Sequence, residues 1–237
     1  MRKYVSSALA GVPEGRYTDC MKTPLKGLMS GVLVGTSDMD IERLKKRFKK
    51  SNGILKTVNL TEMKLDSRAI RSLVDDGVLV RVRNGYYQLV GEKQSESEAS
   101  LIASLFPDAV VCMYTALFHW GYSDRTPLAW DLAVDKNTFR GRFDIPDLAI
   151  VPWFLTAESL SLGVTSGKFD GVPLRIFDRD RVICDCLKYE NRMERETFTK
   201  AVQGYIADPK KNVANLLAYA KRRRVTGRIR DVLGVWL

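Results

Sequence analysis

A set of polar side chains between Lys64 and Arg83 has the types and spacing of a DNA-contacting surface. In "DSRAIRSLVDDGVLVRVRNGYYQL", Asp66 to Leu89, apolar Ile70, Leu73 and Val74 recur at helical spacing and point inward. That turns Ser67, Arg68, Arg71, Ser72 and Asp75 outward. The N-terminal part of such a helix is the part that enters a major groove. Arg68 and Arg71 then face guanine O6 and N7, while Ser67 and Lys64 suit phosphate oxygens. Arg81 and Arg83 alternate with Val82, so an extended strand puts both on one face, placed to straddle a backbone or enter a minor groove. The plain alternative is an ordinary solvated basic face, with Asp75 and Asp76 at hand as partners.

Other residues raise the question of catalysis. Asp131 with Asp135, Asp144 with Asp147, and Asp178, Asp180 and Asp185 are acidic groups of the kind a metal-dependent phosphoryl-transfer site uses. No glycine-rich phosphate loop accompanies them, and each has a simpler role available. Asp178 or Asp180 can cap the helix "RVICDCLKYE", and Arg181 with Asp185 makes an i, i+4 pair. His119, the sole histidine, sits among apolar and aromatic neighbours in "ALFHWG" and reads as a core histidine with its hydrogen bonds satisfied. Cys184 and Cys186 are spaced C-x-C rather than C-x-x-C, so neither a zinc site nor any cofactor is expected. They read as inert thiols on a buried helix, and Trp120, Trp130, Trp153 and Trp236 as core or interface anchors.

The elements that must position these groups can be read in order. Ile41, Leu44 and Phe48 mark a first helix from Asp40, with basic Lys45 to Lys50 on its other face and Gly53 as its stop. A short helix follows from Thr57 to about Met63, a turn at Lys64 and Leu65, and a third helix capped by Asp66 and ended by Gly77. Asn84-Gly85 between "VLVRVR" and "YYQLV" is a strong hairpin signal. Helix, helix, turn, helix, hairpin is the order of a winged helix-turn-helix. Beyond the polar stretch 91–100, itself the best linker candidate and the start of a helix through Leu105, strands are predicted at 109–112, 128–134 and 148–154. A helix at 115–120 and a hairpin over 168–177 turned at Asp170-Gly171 complete this part, and helices follow at 180–189, 196–206, 213–223 and 228–236. The predicted class is therefore α+β, a winged helix-turn-helix over 38–91 followed by a mixed α/β domain over 92–237 with a helical tail. Residues 1–37 show no periodicity and are interrupted by glycines. They read as a poorly ordered extension or as the product of an upstream start, since "MDIERLKKRFKKSNG" from Met39 resembles a natural beginning.

Charge divides along the same lines. Of the net +10, residues 1–37 carry +3 and residues 38–90 carry +5, leaving +2 over 91–237. A basic N-terminal module on a near-neutral body points to a polyanion as the partner of one module only. No run approaches the ~18 apolar residues of a membrane span, so no membrane is expected as a partner. The start "MRKYVSSALAGVP" only imitates a secretory signal, because Ser6 and Ser7 break its apolar core. Four scattered cysteines point to a reduced, cytoplasmic protein.

Three runs in the second domain carry a family resemblance. These are Ala116 to Pro127 in "TALFHWGYSDRTP", the Asp178, Arg181, Asp185 spacing, and Asn212 to Ala220 in "NVANLLAYA". With the closing "IRDVLGVWL", they make residues 40–237 resemble the AbiEi-type antitoxins, the transcription-repressing half of type IV abortive-infection toxin–antitoxin pairs. The first run has one residue more before its glycine than the family pattern, and residues 1–37 match nothing in the family. The resemblance implies a winged helix that binds inverted repeats in the operon's own promoter DNA, and a second domain that counteracts a nucleotidyltransferase-like toxin without a stable complex. It implies a regulator rather than an enzyme. Two rivals stand beside it: a free-standing winged-helix regulator whose second domain senses a ligand, and a metal-dependent nuclease or transferase using Asp131 or Asp178.

Overall fold

Apolar spacing and capping account for most of the elements in a computed structural model of the protein, which describes residues 38–51, 53–90, 97–146, 148–234 and 236. The chain forms two compact units, Met1–Leu44 and Lys45–Leu237. Of the first, residues 38–44 are described, as the beginning of helix α1 (Asp38–Lys50). The extension 1–37, the linker candidate 91–96, Cys20 and Asp147 lie outside the described residues.

The second unit begins with β1 (Ile54–Lys56), α2 (Thr57–Glu62), α3 (Ser67–Asp75), β2 (Leu79–Arg83) and β3 (Tyr86–Leu89). The strands form one antiparallel sheet in the order β1-β3-β2. Leu55, Leu60, Ile70, Leu73, Leu79 and Leu89 are buried, and each such side chain stabilises the fold by about 1.5–3 kcal/mol. Asp66 caps α3, its carboxylate accepting from the Ala69 amide at 2.8 Å. The helix–turn–helix–wing order read from the sequence is present, with β1 added in front of α2.

The rest of the unit runs α4 (Glu98–Leu105), β4 (Val110–Val111), α5 (Met113–His119), β5 (Trp130–Asp135), β6 (Ile150–Leu155), α6 (Ala157–Ser161), β7 (Val164–Phe169), β8 (Val172–Phe177), α7 (Arg179–Lys188), α8 (Arg195–Ala207), α9 (Val213–Arg223) and α10 (Thr226–Leu233). Five strands make a mixed sheet in the order β6-β5-β4-β8-β7, with β5–β6 and β4–β8 parallel and β4–β5 and β7–β8 antiparallel. The fold is α+β. Asp170 and Gly171 both take positive φ (48° and 83°), the tight turn that Asp-Gly favours. Ile54, Val82 and Tyr86 of the first sheet pack into the apolar cluster built by these elements, so the winged module and the larger domain share a core.

Helix α7 is buried from Asp180 to Leu187. Arg181, wholly buried, donates through Nη1 to the carbonyls of Ser159 and Leu162 (both 2.7 Å) and through Nε to Asp185 (3.1 Å). Asp185 also accepts from Arg223 on α9 at 2.8 Å. Gly163 is needed beside this network: its φ is 70°, and a Cβ there would meet the Arg181 Cβ at 2.7 Å. Trp153 is buried, as expected of an anchor, whereas Trp236 is 63% exposed and anchors nothing in the core.

Candidate nucleic-acid interface

Helix α3 presents an outer face made by its apolar stripe. With Ile70 and Leu73 buried, Ser67, Arg68, Arg71, Ser72 and Asp75 are exposed. Arg71 and Ser67 line a cleft of about 240 Å³ between α3 and the hairpin, and Arg81 of β2 lines it from the other side. Two guanidinium groups on separate elements thus face one concavity, with the positive end of the α3 dipole beside Ser67. Ile70, Val74 and the Asp75 carboxylate share the lining, and Thr57 and Tyr87, which the sequence does not mark as contact residues, complete it. A signal for Tyr87 existed, because side chains alternate along a strand: with Tyr86 on the body side, Tyr87 must face the cleft.

The other predicted contacts divide. Arg68 is exposed on the first turn of α3 and pairs with nothing among the described residues. Ser72 donates to Asp76 at 3.1 Å, which engages its hydroxyl at the far end of the helix. Lys64 forms the turn itself, in the left-handed conformation at φ 67°. The Leu65 amide returns to the Leu60 carbonyl and the Lys64 amide to the Thr61 carbonyl, a helix C-terminal motif in which glycine is usual. A side chain there costs strain, so Lys64→Gly is expected to raise stability by about 0.5–1 kcal/mol, checked by thermal melting; a lower melting temperature would contradict the strained assignment.

Arg83 does not share a face with Arg81. Only Gly85 of the Asn84-Gly85 pair has positive φ (79°), so this is not the two-residue turn with both residues left-handed, and the ladder carries a bulge between Arg81 and Arg83. The bulge breaks the two-residue alternation and re-aims one arginine. Arg81 stays exposed and donates to the Asn84 side chain at 2.5 Å. Arg83 turns onto the larger domain, donating to the carbonyls of Leu105 (3.1 Å) and Arg142 (3.4 Å) and stacking over Tyr86 at 3.9 Å. Arg142 reinforces the contact by pairing with Asp108 and donating to the same Leu105 carbonyl. Arg83 is a clamp between wing and body, so the expectation that Arg81 and Arg83 share one face is corrected: of the two, Arg81 alone stays exposed.

Asp131, Asp178, Asp180 and Asp185 are held by donors. Asp131 accepts from the Trp153 indole (2.8 Å) and the Thr115 amide (3.3 Å), and burial pushes its carboxyl up to about 6. Asp178 caps α7 through the Arg181 amide, and Asp180 accepts from the Tyr205 hydroxyl and the Asn212 amide. Among the described residues, no group of three His, Cys, Asp or Glu side chains is placed to hold a metal ion. Cys184 and Cys186 are buried, and burial raises both thiols well above their usual range. His119 stacks on Phe169 (4.5 Å) and meets Trp120 edge-on, without the hydrogen bond expected of it among the described residues.

No protein-family model matches this chain, and neither does any curated protein. Among solved structures it is similar to the crystal structure of the RV2827C protein from Mycobacterium tuberculosis, with 14% sequence identity and a TM-score of 0.56 over 78% of this chain and 72% of that one. At that identity the likeness is one of fold. Among the described residues, no helix is long and apolar enough to cross a membrane.

Proposed function

We propose that this protein is a DNA-binding autorepressor that acts as the antitoxin of a type IV toxin–antitoxin pair. Its winged helix reads inverted repeats in its own promoter, and its larger domain counteracts a nucleotidyltransferase-like toxin without a stable complex. The observation that carries the DNA half is the shared cleft: Ser67 and Arg71 of the recognition helix and Arg81 of the wing face one concavity, in the most basic stretch of the chain. The antitoxin half rests on the three sequence runs. Several of their residues hold the domain together, with Asp178 and Asn212 as helix caps and Arg181 and Asp185 in the buried network.

Fluorescence anisotropy with promoter DNA at several salt concentrations tests the interface. Arg71→Ala is expected to weaken specific binding by about 1–3 kcal/mol and to relax base preference. Arg81→Ala should lower affinity for all sequences and reduce the salt slope by about one unit. Arg83→Ala serves as the contrast: it should leave the salt slope unchanged and lower folding stability by about 1–3 kcal/mol, because the Arg142 carbonyl loses its side-chain donor, the Leu105 carbonyl keeps only Arg142, and the Tyr86 ring loses the guanidinium stacked on it. Unchanged binding in both the Arg71 and Arg81 variants would remove the DNA-facing assignment. For the antitoxin half, growth that stays arrested when the protein is co-expressed with a neighbouring nucleotidyltransferase-like gene would remove that reading.

A further inference from the structure

The larger domain carries a second cleft, of about 420 Å³, whose chemistry is opposite to that of the wing. Its walls include Trp130 and Phe169, whose rings lie 5.4 Å apart, and two large apolar side chains exposed at its edge, Phe118 at 43% and Leu128 at 99%. Glu98 and Asp170 supply carboxylates to the same lining. Neither has a cationic partner among the described residues; Glu98 accepts the Trp130 indole N–H at 2.6 Å, which fixes that ring beside it. Lys168 does not neutralise the site from β7, because strand alternation puts it on the face opposite Phe169 and Gly167. An acidic, aromatic cleft on a protein of net charge +10 repels phosphate and attracts cations, and a cation over an indole or phenyl face gains further from the ring quadrupole.

We infer that this cleft receives an arginine or lysine side chain of a partner polypeptide, flanked by an apolar residue that covers Leu128 and Phe118. The cation enters between Glu98 and Asp170, against the Trp130 and Phe169 rings. The apolar edge supplies contact area, and the two carboxylates supply the selectivity. The Ala116 to Pro127 run, which the DNA-binding reading leaves without a role, contributes Phe118 and Pro127 to this lining. The site is independent of the wing, and its test does not involve DNA.

The test titrates the full-length protein with acetyl-Leu-Arg-Leu-amide, following the Trp130 indole N–H resonance, which Trp130→Phe identifies by its loss. The peptide is expected to move that signal saturably. Acetyl-Leu-Gln-Leu-amide should bind about tenfold more weakly, acetyl-Leu-Glu-Leu-amide not at all, and added salt should weaken the arginine peptide. Glu98→Gln combined with Asp170→Asn should erase the preference for arginine over glutamine; both carboxylates are exposed, and the peptide series gives the same discrimination on the unaltered chain. Equal binding of the arginine and glutamine peptides, or no saturable shift, overturns the proposal. A shift caused by ATP or GTP in place of the peptide overturns it in favour of an anionic ligand. Concentration-dependent self-association in sedimentation velocity that Leu128→Asp abolishes overturns it in favour of a second copy of this chain.

Discussion

Asp185→Ala is expected to lower folding stability by about 3–5 kcal/mol, the largest loss foreseen for a single side chain here. The reason is the ratio of charges in the interior. Arg181 is wholly buried and Arg223 nearly so, and Asp185 is the carboxylate that both guanidinium groups reach, at 3.1 Å and 2.6 Å. Deleting it leaves two cations out of water with neutral acceptors only: the Ser159 and Leu162 carbonyls for Arg181 and the Tyr189 hydroxyl for Arg223. Against a total stability of roughly 5–15 kcal/mol, such a loss brings the domain close to unfolding. Urea denaturation followed by far-ultraviolet circular dichroism measures it. A second variant separates charge from packing: replacing Arg181, Asp185 and Arg223 together with apolar residues of similar volume should recover most of the loss, because the desolvation cost disappears with the charges. A shift below about 1 kcal/mol for Asp185→Ala would mean that solvent reaches the network and that the ions do not hold α7 to α9.

This network also shows what a sequence can and cannot reveal. The i, i+4 spacing of Arg181 and Asp185 and the capping role of Asp178 are readable from one helix, and the structure contains both. That the pair is buried, and that Arg223 joins it from α9 38 residues later, depends on long-range packing that no local pattern encodes. The same distinction runs through the candidate interface. Helical spacing of Ile70 and Leu73 exposes Arg68 and Arg71, and alternation with a turn signal gives the wing. Alternation fails at Arg83, because the turn and the bulge depend on how the two strands pair. Strand β1 was invisible for a related reason: "ILK" is three residues long and exists as a strand through its pairing with β3. The hairpin read as starting at 168 starts at Val164, because "VTSG" lacks the apolar alternation that marks a half-buried strand. Short elements and the contacts between modules, such as Val82 and Tyr86 against the larger domain, are tertiary products.

A second large effect is expected on the pH dependence of folding, from Asp131. Its carboxyl is buried in β5 between the Trp153 indole and the Thr115 amide. Desolvation outweighs those donors and pushes it up to about 6, from the ordinary value of 3.8. The folded state therefore holds this proton more tightly than the unfolded chain does. The stability it contributes is fully present below about pH 4 and is lost as pH rises through about 6. At 1.36 kcal/mol per unit, the loss over that window is about 3 kcal/mol. Other carboxyls titrate nearby in both directions, Asp178 raised by burial and Asp108 lowered by its bond to Arg142, so the total curve mixes several contributions. The difference between the wild type and Asp131→Asn isolates this one. Asparagine still accepts the Trp153 indole N–H, but its amide group faces the Thr115 N–H, donor against donor, and this shifts the variant's stability by an amount that does not depend on pH. The measurement is therefore the slope: chemical denaturation at intervals from pH 4 to pH 7 should show the wild type losing about 2–3 kcal/mol relative to the variant. A flat difference curve would mean that the carboxyl titrates as it does in water, and that the pocket between Trp153 and Thr115 is open to solvent.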